Sequence, residues 1–210
     1  MFIVTGNDKK WAEIDAILKP TGLNYSRANI DLDEIQGTAD EVARYKARQA
    51  AWTLQQCAVV EDVSLSFAAF KPLELPGPFI KWFIATNPND PSLSIERQRF
   101  LNAQRLCQVL DAFPDRSATA TCIFALCTKI PENRAAVHGN VGDDVVLFKG
   151  SVPGTIANAP RGSLEFGWDP IFIPSGQPLT YAEMSSQEKN QISHRSLALS
   201  QFSKSAHCYN

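Results

Sequence analysis

The stretch Val59-Val60-Glu61-Asp62 ends an apolar run, rich in β-branched residues, in two adjacent carboxylates. Such a run predicts a buried strand, here over residues 58–61. Acids at the carboxyl end of a buried strand are typical of a Mg²⁺ site, because that ion prefers carboxylate oxygens. Basic side chains that could hold a polyanion around such an ion are Lys9, Lys10, Lys46, Lys81, Lys189 and Arg195. Together these features indicate a metal site that takes a nucleoside phosphate.

The composition of the chain argues against several classes of protein. Of its 210 residues, 44% are hydrophobic and 20% charged, so one domain over residues 1–210 can bury a core without disulfides. The formal net charge of -2 argues against a protein that coats nucleic acid. No run has the length that spans a membrane, and the strand-like start Phe2-Ile3-Val4 predicts no signal peptide. The five cysteines lack zinc-finger and Cys-x-x-Cys spacing, so we expect reduced thiols in a cytoplasmic protein.

Hydrophobic periodicity predicts alternating strands and helices at the start of the chain and several strands in its middle. The predicted strands cover residues 2–5, 24–28, 58–61, 118–126 and 145–148, with a last one around Phe172. The predicted helices cover residues 10–18, 39–56 and 96–110, and a closing helix follows Ser185 and ends near residue 202. Residues 38–41 and 185–188 have capping-box spacing, whereas residues 71–78 and 131–144 are predicted loops. This order predicts an α/β fold with a mixed sheet flanked by helices.

The predicted turn between the first strand and the first helix has the composition of a phosphate site. It consists of Thr5, Gly6, Asn7, Asp8, Lys9 and Lys10. A helix N-terminus presents backbone N–H groups to an anion, glycine permits a close approach of the backbone, and lysine adds a full charge. An ordinary tight turn with solvated lysines explains the same residues and stays open, because the P-loop pattern is absent.

Further candidates lie in loops and on the closing helix. Glu34, in an acidic loop, could join Asp62 on Mg²⁺, which needs one or two carboxylates beside phosphate oxygens and water. A solvated acidic loop is the alternative. The aromatic turn at residues 166–169 suits a planar base stacked on a ring, or else a turn in the core. Lys81, between aromatic residues, could equally be a surface lysine whose stem covers apolar neighbours.

Two side chains of the predicted closing helix are suited to a carbonyl oxygen on a base, because they are donors or potential donors. They are His194 and Arg195, and the same predicted helix carries Lys189 and places Asn190 and His194 on one face. On a terminal helix such side chains are usually solvated, so that alternative stays open as well.

Taken in order, six segments of the chain resemble the inosine triphosphate pyrophosphatase family, enzymes that remove deaminated purine nucleoside triphosphates. They are VTGNDKK (4–10), IDLDEIQG (30–37), VVEDVSLSF (59–67), LPGPFIKWF (75–83), APRGSLEFGWDPIF (159–172) and TYAEMSSQEKNQISHR (180–195). The ordered set carries the resemblance, since no single motif decides it. The segments extend over nearly the whole chain.

The resemblance implies a fold, a reaction and an oligomeric state. The expected fold is an elongated mixed central sheet flanked by helices, with two lobes around an active-site cleft, in a homodimer. The expected reaction is Mg²⁺-dependent hydrolysis of ITP, dITP and XTP to the monophosphate and pyrophosphate, with Mn²⁺ as a second candidate ion. A related pyrophosphatase for other modified bases and a non-catalytic nucleotide-binding protein are the alternatives.

The resemblance also implies roles for single residues. Glu34 and Asp62 would bind the metal, Asp62 would activate the attacking water, and Glu61 would support it. The triphosphate would lie against Thr5, Gly6, Asn7, Asp8, Lys9, Lys10, Lys46 and Lys81, with Asn7 and Lys10 in direct contact. The purine would be held by Phe166, Gly167, Trp168 and Asp169, while Lys189, His194 and Arg195 would close over it and read the 6-oxo group. Such donors would reject ATP, because they would face its 6-amino donor.

Two segments depart from the family pattern. Val63 stands where the family usually has Ser or Thr, so we expect the hydroxyl contact to pass to Ser64 or to the backbone. Residues 68–75 read AAFKPLEL where a paired glycine is common, which predicts a longer loop of different shape. Neither departure removes a charge from the proposed centre.

Overall fold

The computed structural model describes residues 1–83, 85–87, 89–139 and 144–206, and these form an α/β fold. The strands are β1 (Phe2–Val4), β2 (Ser26–Ala28), β3 (Ala58–Phe67), β4 (Pro76–Gly77), β5 (Ser117–Cys127), β6 (Val145–Ile156) and β7 (Phe172–Pro174). The α-helices are α1 (Asp8–Leu18), α2 (Ala39–Leu54), α3 (Ile95–Gln108), α4 (Arg134–His138), α5 (Ser186–Ile192) and α6 (His194–Ala206). Short 3-10 helices cover Lys19–Thr21, Ala68–Phe70, Pro78–Lys81 and Asp169–Ile171.

The described strands form a seven-stranded mixed sheet in the order β2-β1-β3-β5-β6-β7, with β4 paired to β3. Strand β1 is parallel to both β2 and β3, whereas β4 is antiparallel to β3 and β7 is antiparallel to β6. Parallel neighbours need long crossover connections, and α1 and α2 supply them here. The prediction of a mixed sheet flanked by helices is therefore confirmed.

The chain divides into two compact units, each with its own buried core. The first unit comprises Met1–Val63, Thr121–Ser151 and the C-terminal part from Ser193, and the second comprises Ser64–Ala120 and Val152–Ile192. Helices α1, α2, α4 and α6 belong to the first unit, and α3 and α5 belong to the second. None of the described helices is long and apolar enough to cross a membrane.

In the first unit, successive side chains of β3 point to opposite faces of the sheet, as in any strand. Val59 packs in the cluster formed with α1 and α6, whereas Val60 packs in the cluster formed with α2. Both valines are buried. The same alternation carries Glu61 toward α1 and α6, and Asp62 toward α2, so the two adjacent acids meet different helices.

Two predicted strands were too short. Strand β3 continues beyond the acids to Phe67, and β6 continues beyond residue 148 to Ile156. Gly150 lies inside β6, where it allows α6 to approach closely. A Cβ built at Gly150 would lie 2.1 Å from the backbone oxygen of His194. Glu61 and Asp62 therefore lie inside a long strand, and the prediction that they lie at its carboxyl end was wrong.

The predicted closing helix is two helices, α5 and α6, with Ser193 between them. The Oγ of Ser193 accepts a hydrogen bond from the backbone N–H of Ser196 at 3.1 Å, which is the contact of a helix N-cap. Asn190 and His194 therefore do not share one helical face, contrary to the prediction. The predicted capping box at Ser185 and Glu188 is confirmed by reciprocal hydrogen bonds of 3.2 and 2.8 Å.

The predicted loop at residues 131–144 contains the short helix α4. Residues 140–143 of that prediction lie outside the described residues. The predicted capping box at Thr38 and Glu41 is confirmed and starts α2. Helix α2 is therefore placed by a local signal, which matters because it carries Lys46.

Candidate functional site

The turn from β1 into α1 is organised around the start of the helix. The Oδ1 of Asn7 accepts hydrogen bonds from the backbone N–H groups of Lys9 and Lys10, at 3.0 and 3.1 Å. Asn7 is therefore the N-cap of α1. Gly6 lies against Asn29, since a Cβ built at Gly6 would be 2.7 Å from the side-chain oxygen of Asn29. The turn thus has the backbone geometry that binds anions at a helix N-terminus.

The remaining residues of this turn have separate contacts. The Oγ1 of Thr5 accepts a hydrogen bond from the backbone N–H of Asn7 at 3.2 Å. Asp8 pairs with Arg27 at 2.7 Å, and its charge at the first turn stabilises α1. Lys9 is exposed on α1. The structure therefore gives Asp8 a helix-stabilising contact, which differs from the phosphate contact implied by the resemblance.

Glu61 is the centre of a buried ion network in the first unit. Its Oε2 lies 2.6 Å from the Nζ of Lys10, and its Oε1 accepts hydrogen bonds from Nε and Nη2 of Arg195, at 2.9 and 2.8 Å. The side chains of Glu61 and Arg195 are each only 1% exposed. Burial raises the pKa of Glu61, but Arg195 and Lys10 outweigh this effect and hold that pKa well below its usual range. Glu61 is therefore a carboxylate that orients Lys10 and Arg195.

Two members of this network were missed from the sequence. Glu13 pairs with Nη1 of Arg195, and the Sγ of Cys122 lies 3.5 Å from Oε1 of Glu61. Burial, and then the nearby Glu61 charge, raise the pKa of the Cys122 thiol well above its usual value. Glu13 follows Lys10 by three positions on α1, so helical spacing could have indicated it. Cys122 had no comparable signal, because its role depends on the pairing of distant strands.

Lys46 joins the two acids for which a metal role was predicted. Its Nζ lies 2.8 Å from Oδ2 of Asp62 and 3.1 Å from Oε1 of Glu34. Burial lowers the pKa of Lys46, but the two carboxylates outweigh that effect and keep it charged. Burial raises the pKa of Asp62 above its ordinary value, although the Lys46 ammonium opposes the shift. The structure therefore brings Glu34, Lys46 and Asp62 together.

The pair Glu34 and Asp62 fits a divalent cation. The two carboxylates share one positive charge, that of Lys46, so a net negative charge remains to attract a divalent cation. Mg²⁺ takes one or two carboxylates and completes its coordination with phosphate oxygens and water. Within the described ranges, no group of three or more His, Cys, Asp or Glu side chains could hold a metal. The site suits an ion that is bound together with a phosphorylated ligand.

The second unit brings together an aromatic ring, an acid and a lysine. The Nζ of Lys189 lies 2.5 Å from Oδ2 of Asp169 and 4.1 Å from the ring centre of Phe166. Both charged side chains are buried, at 6% and 5% exposure. Gly167 has a φ of +45°, a conformation that favours glycine, and the turn closes with a 3.0 Å hydrogen bond from Asp169 N–H to Phe166 O. This arrangement offers an aromatic face beside hydrogen-bonding groups, as base recognition requires.

Other predicted residues have different surroundings. The ring of Trp168 packs on Phe172 at 5.6 Å, so it contributes to the core of the second unit. The Nζ of exposed Lys81 lies 4.4 Å above the ring of Trp82. Val63 packs in the first unit's core, and its N–H donates to Oδ1 of Asp62 at 2.9 Å. At this position the backbone N–H of Val63 contacts Asp62.

His194 and Arg195 lie at the start of α6 in the first unit, whereas Lys189 and Phe166 lie in the second. The side chains of His194 and Arg195 are buried, at 2% and 1% exposure. Arg195 meets two carboxylates there, which is a contact set that the sequence did not predict.

Comparisons with known proteins identify relatives over nearly the full length of the chain. The model of the Ham1 family matches residues 1–205. The inosine triphosphate pyrophosphatase of Yarrowia lipolytica is 42% identical over 196 residues, which cover 93% of this chain and 89% of that protein. A HAM1 protein from Coxiella burnetii aligns with a TM-score of 0.75 at 32% identity, over 99% of this chain and 98% of that one. The nucleoside-triphosphatase / dITP/XTP pyrophosphatase from Mycobacterium abscessus aligns with a TM-score of 0.65 at 27% identity, over 95% and 96%.

Proposed function

The chain belongs to the Ham1 family, and from this premise we propose that it hydrolyses ITP, dITP and XTP to the nucleoside monophosphate and pyrophosphate. The observation that carries the proposal is the contact of Lys46 with both Glu34 and Asp62, which gathers a cation and two metal-binding acids. The relatives named as an inosine triphosphate pyrophosphatase and as a dITP/XTP pyrophosphatase support the substrate class. We propose a single nucleoside triphosphate pyrophosphatase domain over residues 1–210.

A divalent cation, Mg²⁺ first and Mn²⁺ second, is part of this proposal. The family is generally dependent on divalent metals, and Glu34 and Asp62 are the residues that would hold the ion here. When bound, such an ion neutralises negative charge that builds on the leaving pyrophosphate. Lys46, which holds both acids in the structure, also contributes its charge to the triphosphate.

The chain itself supplies the phosphate contacts and the base for the water. The N-terminus of α1 and the ammonium groups of Lys10 and Lys46 bind the triphosphate. Asp62 accepts a proton from the attacking water and holds it in position. Glu61 keeps Lys10 in place and does not touch the substrate.

Base recognition belongs to the second unit in this proposal. Phe166 offers its ring for stacking, and Asp169 and Lys189 offer groups at the edge of the purine. The ammonium of Lys189 donates to the 6-oxo group of hypoxanthine but would face the 6-amino donor of adenine. A buried polar group left unpaired costs about 1–3 kcal/mol, which is enough for a strong preference. His194 and Arg195 stay in the base-binding set on the resemblance alone.

A pyrophosphate-release assay tests the proposal. Purified protein with Mg²⁺ is given ITP, dITP, XTP and ATP in parallel, and the products are identified as monophosphate and pyrophosphate. Rapid release from the first three substrates and slow release from ATP is the expected result. Release from other modified nucleotides only would indicate a related pyrophosphatase. Binding of ITP without any release would indicate a non-catalytic nucleotide-binding protein.

We also propose that the protein is a cytoplasmic homodimer. The resemblance supports the dimer, and the described cysteines support a reducing compartment, since Cys57, Cys107, Cys122 and Cys127 are free thiols. Sedimentation of the purified protein measures the oligomeric state. A species at the 23.2 kDa mass of one chain would contradict the dimer.

The phosphate lysines give a prediction about substrate length. Lys10→Ala and Lys46→Ala should each lower kcat/KM for ITP by about tenfold or more, because each removes a charge-assisted contact to phosphate. The loss should be smaller for IDP, which lacks the distal phosphate. Lys149→Ala is a matched control, because that lysine is half exposed and pairs with Asp40. Equal losses for ITP and IDP would show that neither lysine binds the distal phosphate.

Lys189 gives a prediction about base selection. Lys189→Met should lower kcat/KM for ITP by about tenfold while that for ATP barely changes, so the ratio between the two substrates falls. Because the variant leaves buried Asp169 without its lysine, the double variant Asp169→Asn, Lys189→Met is measured beside it. A similar fall for ITP and ATP in both variants would contradict a base-reading role.

A further inference from the structure

The loop that carries Glu34 has little structure of its own. Residues 29–38, between β2 and α2, form neither helix nor strand. The side chain of Glu34 is 46% exposed, whereas that of Asp62 is 13% exposed on a strand. One proposed ligand is therefore rigidly placed by the sheet, and the other depends on whatever holds its loop.

Two side chains of helix α2 hydrogen-bond to Asp33 in this loop. The hydroxyl of Tyr45 donates a hydrogen bond to Oδ2 of Asp33 at 2.9 Å. The side-chain oxygen of Gln49 accepts a hydrogen bond from the backbone N–H of Asp33, also at 2.9 Å. Tyr45 and Gln49 are four positions apart, so they lie on one face of α2. Tyr45 and Gln49 therefore both hydrogen-bond to Asp33, the residue before Glu34, and Lys46 on the same helix pairs with Glu34 itself.

The Tyr45 side chain, which donates to Asp33, is buried and packed against a neighbouring helix. Tyr45 is 7% exposed, and its ring centre lies 5.2 Å from that of His138 on α4. Burial, and then the Asp33 carboxylate, raise the pKa of Tyr45, so its hydroxyl stays protonated and remains a donor. Because Tyr45 is a buried donor on a 16-residue helix, its hydrogen bond restricts the motion of the exposed loop.

We propose that Tyr45 and Gln49 are positioning residues for the divalent cation, which hold Asp33 so that Glu34 stays beside Asp62. This inference rests on the proposed function and deepens it. Neither residue contacts the substrate in this scheme. Their loss lets the loop explore more conformations before an ion binds, so it weakens the affinity for the ion. Turnover with the ion at saturation changes little, because the same ligands are then in place.

The inference is tested by titrating the full chain with Mn²⁺ in the absence of nucleotide. Electron paramagnetic resonance measures the unbound ion, and therefore the affinity for Mn²⁺. Glu34→Gln defines the ion binding that depends on Glu34. Tyr45→Phe keeps the ring but loses the hydroxyl, and we expect its Mn²⁺ affinity to fall about tenfold. Tyr25→Phe is the matched control, because the Tyr25 hydroxyl donates to Oδ1 of Asp15 at the same 2.9 Å. Its affinity should stay within about twofold of the unmodified protein.

Three further variants separate positioning from a general loss of structure. Gln49→Ala and Asp33→Ala should weaken Mn²⁺ binding in the same direction as Tyr45→Phe. Asp33→Asn keeps a side-chain acceptor for Tyr45 and should restore most of the affinity. In steady-state assays with ITP, the Mn²⁺ concentration for half-maximal rate should rise in Tyr45→Phe while kcat at saturation changes by less than about twofold. Should Tyr45→Phe not fold, Gln49→Ala is read in its place.

The outcomes distinguish this inference from the proposed function. Unchanged Mn²⁺ affinity in Tyr45→Phe and Gln49→Ala would overturn the inference, as would equal losses in Tyr45→Phe and Tyr25→Phe. Binding that is insensitive to Glu34→Gln would overturn it as well, because Glu34 would then not be a ligand. If the Mn²⁺ series holds while the protein hydrolyses none of ITP, dITP and XTP, the positioning role stands and the proposed function fails.

Discussion

Asp62→Asn should give a folded protein whose kcat for ITP at saturating Mg²⁺ is lower by about 10²- to 10⁴-fold. The substitution removes a proposed metal ligand and the proposed base for the water in one step. It preserves the size of the side chain, and Lys46 keeps its contact with Glu34, so the first unit should remain folded. A pyrophosphate-release assay measures kcat, and a thermal melt shows whether the variant is folded.

Asp111→Asn is the control for this experiment. Asp111 also pairs with a basic residue, Arg116 at 3.3 Å, but its side chain is 64% exposed and belongs to the second unit. Its replacement should leave kcat unchanged. If Asp62→Asn keeps more than about a tenth of normal turnover, Asp62 is neither the base nor an essential ligand.

Arg195→Ala should lower the free energy of unfolding by about 3–5 kcal/mol, because it leaves buried carboxylates without their cation. Glu61 and Glu13 both face this guanidinium, and the Glu61 side chain is 1% exposed. Arg161→Ala is the matched control, since Arg161 pairs with Glu183 at 3.3 Å but is 42% exposed. That pair should contribute no more than about 1 kcal/mol. Urea unfolding of the two variants measures the difference, and similar losses would contradict the buried network.

The stability loss in Arg195→Ala should depend on pH. The folded pKa of Glu61 is depressed, so its contribution is present above the ordinary glutamate pKa of 4.5 and is lost as the pH falls toward the folded value. Without Arg195, the buried Glu61 carboxyl instead favours its protonated form. The difference between the variant and the unmodified protein should therefore shrink when unfolding is repeated below about pH 4.5. A difference that is constant over this range would show that Glu61 and Arg195 are not coupled.

Local signals in the sequence predicted the elements well where they were strong. Both capping boxes, at Thr38 and Ser185, start helices where expected, because a cap depends on residues three positions apart. The predicted bounds of strands and helices were wrong where a residue's role depends on a contact with a distant part of the chain, or on a cap inside a predicted helix. The predicted strand ends at residue 148, but β6 continues through Gly150, which admits the backbone of α6. Ser193 divides the closing helix because its hydroxyl caps α6.

The charged residues of the candidate site could be predicted as a set but not as pairs. The sequence alone was enough to predict Glu34, Glu61 and Asp62 as the acids of one phosphate-binding site, because that prediction needs only residue type and the order of the motifs. Only the tertiary structure decided that Glu61 meets Arg195, 134 positions away, while Asp62 meets Lys46. The reason is that adjacent side chains of β3 point to opposite faces of the sheet, and the helix packed on each face supplies the partner.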